Sequence, residues 1–263
     1  MRDLKIQLIQ TKIHWENKHA NFNHLESVFF NTFKEKEIDL IILPEMFNSG
    51  FSMQVNKLAE KMDGESINWL LKWAKKLNCC IGGSLIIEEN NRFFNRFVIV
   101  SQNGVEAKYD KRHLFRMASE NDFFSTGENR IIFNLKGWKL MLQVCYDLRF
   151  PVFARNKLVN NEKEYDALIY VANWPSKRAF IWKNLIQARA IENQAYCIGV
   201  NRVGEDGNQI QYEGNSMCVD PWGNITTEFE PFLENNTTLI LKKEVMATIK
   251  KSFPAYLDAD LLE

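Results

Sequence analysis

Three side chains that could take part in covalent catalysis each lie beside an apolar stretch of the chain. Cys145 comes directly after the apolar run 140–144 and opens into a polar turn, and Glu45 follows the apolar segment 41–44. Lys111 lies in a short charged turn. A thiol at the tip of a buried strand is held rigid and can still be reached by a small molecule. Glutamate, lysine and cysteine in that order suggest a hydrolase that forms a covalent intermediate without a catalytic histidine.

Attack on an amide carbon needs a nucleophile, a base, donors for the oxyanion and an acid for the leaving nitrogen. Cys145 would supply the nucleophile, since a thiolate is strongly nucleophilic and a nearby cation lowers the pKa of a thiol. Glu45 would act first as the base and then as the acid. Lys111 would favour the thiolate and stabilise the oxyanion, for which the backbone N–H of Tyr146 is the natural second donor.

Each of these residues also has an ordinary structural interpretation. A buried cysteine at a strand end is more often inert packing than a nucleophile. Glu45 could pair with any nearby arginine, and Lys111, which has charged neighbours on both sides, fits a solvated loop. The spacing of the three residues along the chain is not demanded by any physical rule. Taken singly, the residues therefore favour the structural interpretation.

Apolar periodicity indicates alternating strands and helices that would hold these residues in place. Strand patterns occupy 4–10, 39–44, 79–87, 93–101, 105–109, 138–145, 166–171, 195–201, 216–220 and 238–241. Helix patterns occupy 17–36, 65–77, 152–159, about 177–193 with Ser176 as its N-cap, and 242–249. No linker, repeat or change of composition divides the chain. We therefore predict a single domain over residues 1–263, of the mixed α/β class, with two packed sheets flanked by helices.

Composition narrows the range of functions. The 263 residues are 46% hydrophobic, and Lys plus Arg equals Asp plus Glu at 33 each. The zero net charge gives no electrostatic support for binding to nucleic acid or to an anionic membrane surface. Five cysteines without a C-x-x-C spacing predict neither a metal site nor a disulfide framework. Because the sequence shows no signal peptide and no apolar run that could span a bilayer, we expect a soluble protein of the cytoplasm.

The segments around the three reactive residues resemble the signature regions of the nitrilase superfamily, also called the carbon–nitrogen hydrolases. These segments are 43–47 (LPEMF), 109–115 (YDKRHLF) and 144–151 (VCYDLRFP), and they occur in the order that the family shows. The resemblance extends from the first strand to about Trp222. It implies a single carbon–nitrogen hydrolase domain folded as a four-layer α-β-β-α sandwich, and a homodimer that stacks helices of two subunits.

The resemblance also implies roles for individual residues. Glu45 is then the general base, Lys111 the lysine that stabilises the oxyanion, and Cys145 the nucleophile. Glu120 stands where the family often carries a second glutamate, and its implied role is to position Lys111 or the substrate amide. The alternative for Glu120 is an ordinary glutamate of a surface loop. Neither a metal ion nor an organic cofactor is expected to be needed for this chemistry.

Further segments, at 48–51, 171–176, 204–207 and 212–216, resemble the omega-amidase branch of the superfamily. Members of this branch hydrolyse the side-chain amides of dicarboxylic acid monoamides such as α-ketoglutaramate, and they release ammonia. We therefore predict a small-molecule amide as the substrate. The residues predicted to bind it are Phe47, Phe51, Asn173, Trp174 and Arg178.

The carboxylate of such a substrate requires a cation in the pocket. Arg178 or Lys177, at the start of a predicted helix, is the best candidate, because the helix N-terminus adds its own attraction for an anion. Arg112, Arg116 and Arg149 are the alternatives. Of these, Arg149 is instead expected to pair with the neighbouring Asp147.

Three other functions remain open. The same residues on the same scaffold could hydrolyse an N-carbamoyl amide or a nitrile. A cysteine–histidine hydrolase could use His113 as its base. A non-catalytic dimeric scaffold could have kept the fold without the chemistry, although the presence of all three signature residues argues against such a loss.

Overall fold

The computed structural model describes residues 2–33 and 37–259. The strands among these residues are β1 (Leu4–Gln10), β2 (Leu40–Ile42), β3 (Cys80–Glu89), β4 (Arg92–Ser101), β5 (Gly104–Asp110), β6 (Ile132–Leu135), β7 (Trp138–Val144), β8 (Leu158–Val159), β9 (Glu162–Lys163), β10 (Ala167–Ala172), β11 (Tyr196–Asn201), β12 (Val203–Glu205), β13 (Gln211–Glu213), β14 (Met217–Val219), β15 (Ile225–Glu228) and β16 (Asn235–Leu241).

The helices of the same residues connect or cover these strands. They are α1 (Lys18–Leu25), α2 (Val55–Leu58), α3 (Glu65–Leu77), α4 (Glu120–Phe123), α5 (Pro151–Ala154), α6 (Ala179–Asn193) and α7 (Lys243–Ser252). Short 3₁₀ turns cover Arg116–Ala118, Cys145–Arg149, Ser176–Arg178 and Ala255–Asp258, and a π-helical turn covers Glu26–Phe30.

The main strands form two six-stranded sheets, in the orders β16-β1-β2-β3-β4-β5 and β15-β14-β11-β10-β7-β6. Apolar side chains from both sheets meet in a shared core that includes Leu8, Tyr109 and Leu142. The other face of the first sheet packs against α1 and α3, and the other face of the second packs against α6. The predicted four-layer α-β-β-α sandwich is therefore confirmed.

The strands of the sandwich interior are apolar along almost their whole length. β2 and β10 are buried at every position, and β7 is buried at all positions but one. A strand that is covered on both faces reads as a continuous apolar run, because neither face meets water. Glu45, Cys145 and Asn173 follow these strands within three residues, and they take part in the site.

Where strands of a sheet run in the same direction, their carboxyl ends lie at the same end of the sheet. β2 pairs in parallel with β3, and β5 runs in the direction of β3 because both pair antiparallel with β4. Glu45 follows β2 and Lys111 follows β5, so both lie at the same end of the first sheet. In the second sheet β7 and β10 are parallel, so Cys145 and Asn173, which follow them, also lie at one end of that sheet. Residues that follow parallel strands commonly form sites in this way.

Two predicted helices differ from the structure. The helix predicted for 152–159 is wrong beyond Ala154, because α5 is a single turn and the chain continues into the hairpin β8–β9. The turn of that hairpin has φ angles of 53° at Asn160 and 61° at Asn161, the left-handed pair that a two-residue hairpin turn requires. The helix predicted for 17–36 is instead α1 followed by the π-helical turn. Residues 34–36 of that prediction lie outside the described residues.

The predicted N-cap at Ser176 is also corrected. The chain makes a 3₁₀ turn from Ser176 to Arg178 before α6 begins, and the N–H of Arg178 donates to the carbonyl of Pro175 at 2.9 Å. Within the part of the chain that the structure describes, the Ser176 hydroxyl makes no hydrogen bond. The residue at the N-cap position of α6 is Arg178.

Gly127 holds the backbone next to Lys111, and its substitution provides a test of the fold. Its N–H donates to the carbonyl of Lys111 at 2.9 Å, and a Cβ here would lie 2.0 Å from the carbonyl oxygen of Asp110. We predict that Gly127→Ala forces the two backbones apart and lowers the free energy of unfolding by about 1–3 kcal/mol, as overpacking usually does. Thermal unfolding measures the change. Asn121→Ala, at an exposed position of α4, is the control. Equal midpoints for the two variants would contradict this packing.

Candidate active site

A buried ammonium group lies at the centre of the candidate site. Lys111 Nζ donates to Glu45 Oε1 at 3.0 Å, and to Glu120 Oε1 and Oε2 at 3.0 and 2.9 Å. The lysine side chain is 1% exposed and both glutamate side chains are fully buried. The structure therefore brings Glu120 to Lys111, and the alternative of a surface-loop glutamate is wrong.

Both oxygens of Glu45 are fixed by amide donors as well. The backbone N–H of Asn173 donates to Oε2 at 2.8 Å, and the side chain of Asn173 donates to the main-chain carbonyl of Glu45 at 2.7 Å. Asn95 Nδ2 donates to Glu45 Oε1 at 2.8 Å and to Glu120 Oε1 at 3.2 Å. Asn173, predicted to bind substrate, lines the cavity described below and also orients the carboxylate of Glu45.

Asn95 was not among the residues singled out from the sequence. It lies in β4 within the segment 93–100 and is fully buried. A polar side chain inside an apolar strand must find hydrogen-bond partners when it is buried, and this is the one sequence signal that could have marked it. That signal does not say which partners it finds.

The nucleophile turn is held by the carboxylate of Asp147. This carboxylate accepts the N–H of Val144 at 3.0 Å, the N–H of His113 at 2.9 Å and the hydroxyl of Tyr109 at 2.7 Å. Cys145 itself has a φ of 45°, a left-handed conformation that is uncommon for a residue with a side chain. Asp147 therefore joins the segment that carries the lysine to the segment that carries the thiol.

The imidazole of His113 is engaged by Asp147 and Phe150. Its Nδ1 lies 2.8 Å from Asp147 Oδ1, and its ring stacks on Phe150 with centroids 3.9 Å apart. The charged groups that shift the pKa of Cys145 include Glu45, Lys111 and Glu120. The arrangement favours Glu45 over His113 as the base.

The charges of the cluster set the protonation of the thiol. Burial raises the pKa of Cys145 well above its ordinary value, and the negative charge of Glu45 raises it further, while Lys111 acts in the opposite direction. The expectation that Lys111 produces a ready thiolate is therefore corrected, because burial and two neighbouring carboxylates outweigh one ammonium. The resting nucleophile is a thiol, and its proton must leave during the attack.

The lysine and the second glutamate are shifted by the same surroundings. Burial alone would lower the pKa of Lys111, but the charges of Glu120 and Glu45 outweigh burial and leave the pKa raised. Lys111 is therefore a permanent cation. Burial raises the pKa of Glu120, and Lys111 only partly reverses this effect.

A cavity of about 520 Å³ opens onto Cys145 and Lys111. Tyr146 lines it and is the second residue of the 3₁₀ turn that begins at Cys145, where a backbone N–H has no partner within the helix. Phe51 forms part of the wall, with its ring centroid 5.1 Å from Lys111 Nζ. Trp174 forms another part of the wall.

The predicted substrate contact at Phe47 is corrected. Its side chain is 1% exposed and packs in the core between the first sheet and the helices, 6.0 Å from the ring of Trp69. The left-handed backbone at Met46, with a φ of 45°, precedes this turn of the chain into the core. Phe47 supports the segment of Glu45 from behind and does not line the cavity.

Two arginines line the cavity. The guanidinium of Arg178 lies 5.3 Å from the ring centroid of Phe115, and that of Arg149 lies 5.5 Å from the ring centroid of Trp174. Neither guanidinium has a carboxylate partner among residues 2–33 and 37–259. The expected pairing of Arg149 with Asp147 is wrong, because the oxygens of Asp147 already accept hydrogen bonds from the segments on either side of it.

The other proposed cations lie elsewhere. Arg112 donates to the carbonyl of Gly127 at 3.0 Å. Arg112, Arg116 and Lys177 are absent from the cavity wall formed by the described residues.

Trp15 closes another side of the cavity and was also missed from the sequence. Its indole packs against two glycines from separate loops, since a Cβ at Gly50 would lie 3.0 Å from the ring and a Cβ at Gly207 only 2.3 Å. Gly207 belongs to the loop between β12 and β13, and Asp206 and Tyr212 from this hairpin also line the cavity.

Comparison with known proteins identifies the family. The sequence model of the family described as Carbon-nitrogen hydrolase matches residues 5–246. The chain belongs to this family. It is 41% identical to Omega-amidase YafV of Yersinia enterocolitica over 262 residues, which are 99% of this chain and 98% of that protein. It is 31% identical to the 2-oxoglutaramate amidase of Bacillus subtilis over 85% of each chain.

A solved structure agrees with the same assignment. The crystal structure of XC1258 from Xanthomonas campestris, described as a CN-hydrolase superfamily protein with an arsenic adduct in the active site, is 39% identical to this chain. Its TM-score is 0.95, with 100% of this chain and 99% of that chain covered. The predicted family, its omega-amidase resemblance and the predicted class of enzyme, a carbon–nitrogen hydrolase, are confirmed. None of the described helices is both long and apolar enough to cross a membrane.

Removing the charge of Glu120 should change two properties in opposite directions. Glu120 is one of the charges that raise the pKa of Cys145, so Glu120→Gln should speed alkylation of this thiol by iodoacetamide at pH 8. We expect at least about a threefold increase, equivalent to half a pKa unit. Because the same variant loosens Lys111, it should hydrolyse amides more slowly than the wild type.

Intact-mass spectrometry over time measures the alkylation, and Cys145→Ala is the control. The other four cysteines are buried, so one adduct is expected in the wild type and none in the control. Slower alkylation in Glu120→Gln would contradict the electrostatic account of the thiol.

Proposed function

We propose that this protein is an omega-amidase that hydrolyses the ω-amide of a small dicarboxylic acid monoamide, such as α-ketoglutaramate, to the acid and ammonia. The observation that carries the proposal is a single cavity lined by the thiol of Cys145, by Lys111 and by two arginines that have no carboxylate partner among the described residues. Behind Lys111 lie the two buried glutamates, Glu45 and Glu120. The names of the relatives at 41% and 31% identity point to the same class of substrate.

The first half of the reaction forms a thioester. Cys145 Sγ attacks the amide carbon while Glu45 takes the thiol proton, since the thiol is protonated at rest. The carbonyl oxygen becomes an oxyanion between Lys111 Nζ and the N–H of Tyr146. Glu45 then passes its proton to the amide nitrogen, the carbon–nitrogen bond breaks and ammonia leaves.

The second half returns the enzyme to its resting state. Glu45 takes a proton from a water molecule, which attacks the thioester carbon and forms a second oxyanion at the same two donors. The carbon–sulfur bond breaks, and the sulfur receives the proton back from Glu45. The free acid then leaves, and no redox step or added reactant is needed.

The two arginines select the acid end of the substrate. A carboxylate is recognised well by guanidinium groups, and Arg149 and Arg178 both line the cavity that holds the thiol. The rings of Trp174 and Phe115 lie under these guanidiniums and leave their N–H groups available. We therefore assign carboxylate binding to both arginines, and not to Arg178 alone.

Profiling of ammonia release tests the substrate class. The purified protein is expected to release ammonia faster from α-ketoglutaramate than from glutamine, N-carbamoyl amino acids or nitriles, with Cys145→Ala as the inactive control. Preference for a carbamoyl compound or a nitrile would assign the same centre to another reaction of the family. No turnover of any amide would favour a non-catalytic scaffold.

Removal of either guanidinium should weaken binding of the acid end only. For Arg149→Ala and Arg178→Ala we expect the KM for α-ketoglutaramate to rise about tenfold or more, since a hydrogen bond to a charged group contributes about 1.5–3 kcal/mol. A neutral amide such as butyramide should be turned over as by the wild type. Lys177→Ala, next to Arg178 but exposed, is the matched control. An equal loss on the neutral amide would contradict the assignment.

We also infer that the enzyme works as a homodimer in the cytoplasm. The family resemblance supports the dimer, and α6 carries exposed apolar side chains at Phe180 and Ile191 that a second subunit could cover. The five cysteines are all unpaired, which suits a reducing compartment.

A further inference from the structure

Asn95, like Lys111, donates hydrogen bonds to both carboxylates of the site. Its Nδ2 donates to Oε1 of Glu45 at 2.8 Å and to Oε1 of Glu120 at 3.2 Å. The side chain is fully buried. Its main-chain carbonyl accepts the N–H of Lys111 at 3.0 Å, so Asn95 also fixes the backbone that carries the lysine.

The orientation of the Asn95 amide follows from its other neighbour. The N–H of Met46 can only donate, and it donates to Ser84 Oγ at 2.9 Å. The hydroxyl proton of Ser84 is then free to go to Asn95 Oδ1, which lies 2.8 Å away. With its oxygen occupied in this way, the amide must turn its NH₂ group toward the two glutamates. Ser84 is also fully buried, so no water competes for these bonds.

The protons of Lys111 are all engaged when the site is at rest. An ammonium group has three, and Lys111 Nζ lies within hydrogen-bond distance of three carboxylate oxygens, one of Glu45 and two of Glu120. To stabilise an oxyanion, Lys111 must turn at least one proton away from a carboxylate. A buried carboxylate that loses a donor is strongly destabilised unless another donor remains.

Other donors remain at each oxygen that Lys111 would release. Oε1 of Glu45 and Oε1 of Glu120 keep the two N–H bonds of Asn95, and Oε2 of Glu120 keeps the N–H of Phe115 at 2.6 Å. We propose that Asn95 is a positioning residue that keeps both carboxylates hydrogen-bonded while Lys111 turns a proton to the oxyanion. The inference rests on the proposed roles of Glu45 and Lys111.

This role predicts a change in turnover more than in substrate binding. Within the described part of the chain, the hydrogen bonds of the Asn95 amide go to Ser84, Glu45 and Glu120. None of these residues is part of the cavity wall, so KM should stay within about threefold in Asn95→Ala. The loss of two hydrogen bonds to charged groups should lower kcat about 10- to 100-fold. Asn95→Asp keeps the shape and the Ser84 contact but places a third carboxylate beside the pair, so its loss of kcat should be larger.

The pH profile separates this role from a purely structural one. Among the described residues, the groups that face the carboxylate pair are the charged Lys111 after β5 and the titratable thiol of Cys145 after β7. The pair itself comes from the segment after β2 and from α4. Amide donors stabilise ionised carboxylates. Without them the pair takes up a proton at higher pH, and since the base must be ionised to act, the acid limb of kcat/KM should move upward.

The experiment measures kcat, KM and the acid limb for wild type, Asn95→Ala, Asn95→Asp and the matched control Asn156→Asp. Asn156 is another buried asparagine whose amide is held at both ends, by Tyr165, and it lies outside the cavity wall. For Asn156→Asp we expect a loss of thermal stability comparable to that of the Asn95 variants, with the acid limb of kcat/KM unchanged. An unshifted acid limb in folded Asn95→Ala, or a change in KM alone, would overturn the proposal.

A second substrate keeps this test independent of the proposed function. Hydrolysis of p-nitrophenyl acetate uses the same nucleophile, base and oxyanion donors but no carboxylate end. Should the wild type cleave this ester and no ω-amide, the proposed substrate class fails, while the Asn95 variants are still compared on the ester. If the acid limb of kcat/KM is unshifted in Asn95→Ala on both substrates, the role of Asn95 is contradicted and the proposed substrate class is unaffected.

Discussion

A buried ammonium between two carboxylates is the interaction on which the rest of the site depends. Lys111 and both glutamates are almost completely removed from water, and charges are tolerated there only when they are paired and fully hydrogen-bonded. When both carboxylates are ionised, one lysine cannot balance them. Neutral N–H donors then make up the difference, from Phe115 and Asn173 in the main chain and from the side chain of Asn95. The site is therefore as much an arrangement of amides as of charges.

The surplus of negative charge explains how the nucleophile works. Burial, and then the same carboxylates that hold Lys111, raise the pKa of Cys145, so the sulfur carries its proton at rest. Proton removal and bond formation have to occur together, which places strict demands on geometry. The bonds that Asp147 makes to both segments meet this demand by fixing the thiol relative to the lysine.

The parts predicted from sequence are those that depend on strand ends. Glu45 and Cys145 each follow a continuous apolar strand, a position that is visible in the sequence, and the resemblance of the segments around them to the carbon–nitrogen hydrolases implied their roles. Asn95 could not be read in this way, because a polar residue inside a strand does not reveal its partners. Phe47 and Phe51 are chemically alike and four residues apart, yet one supports the core and the other lines the cavity, and the backbone around them is left-handed at Met46 and at Gly50.

The indole of Trp15 rests on two glycines that belong to different loops. Neither glycine can gain a methyl group without pressing on the ring, because a Cβ would lie 3.0 Å from the nearest ring atom at Gly50 and 2.3 Å from it at Gly207. The position of one wall of the chamber is thus set by the absence of side chains behind it. An alanine or serine at either place would displace the indole and so change the shape of the chamber, although neither glycine is itself part of the wall.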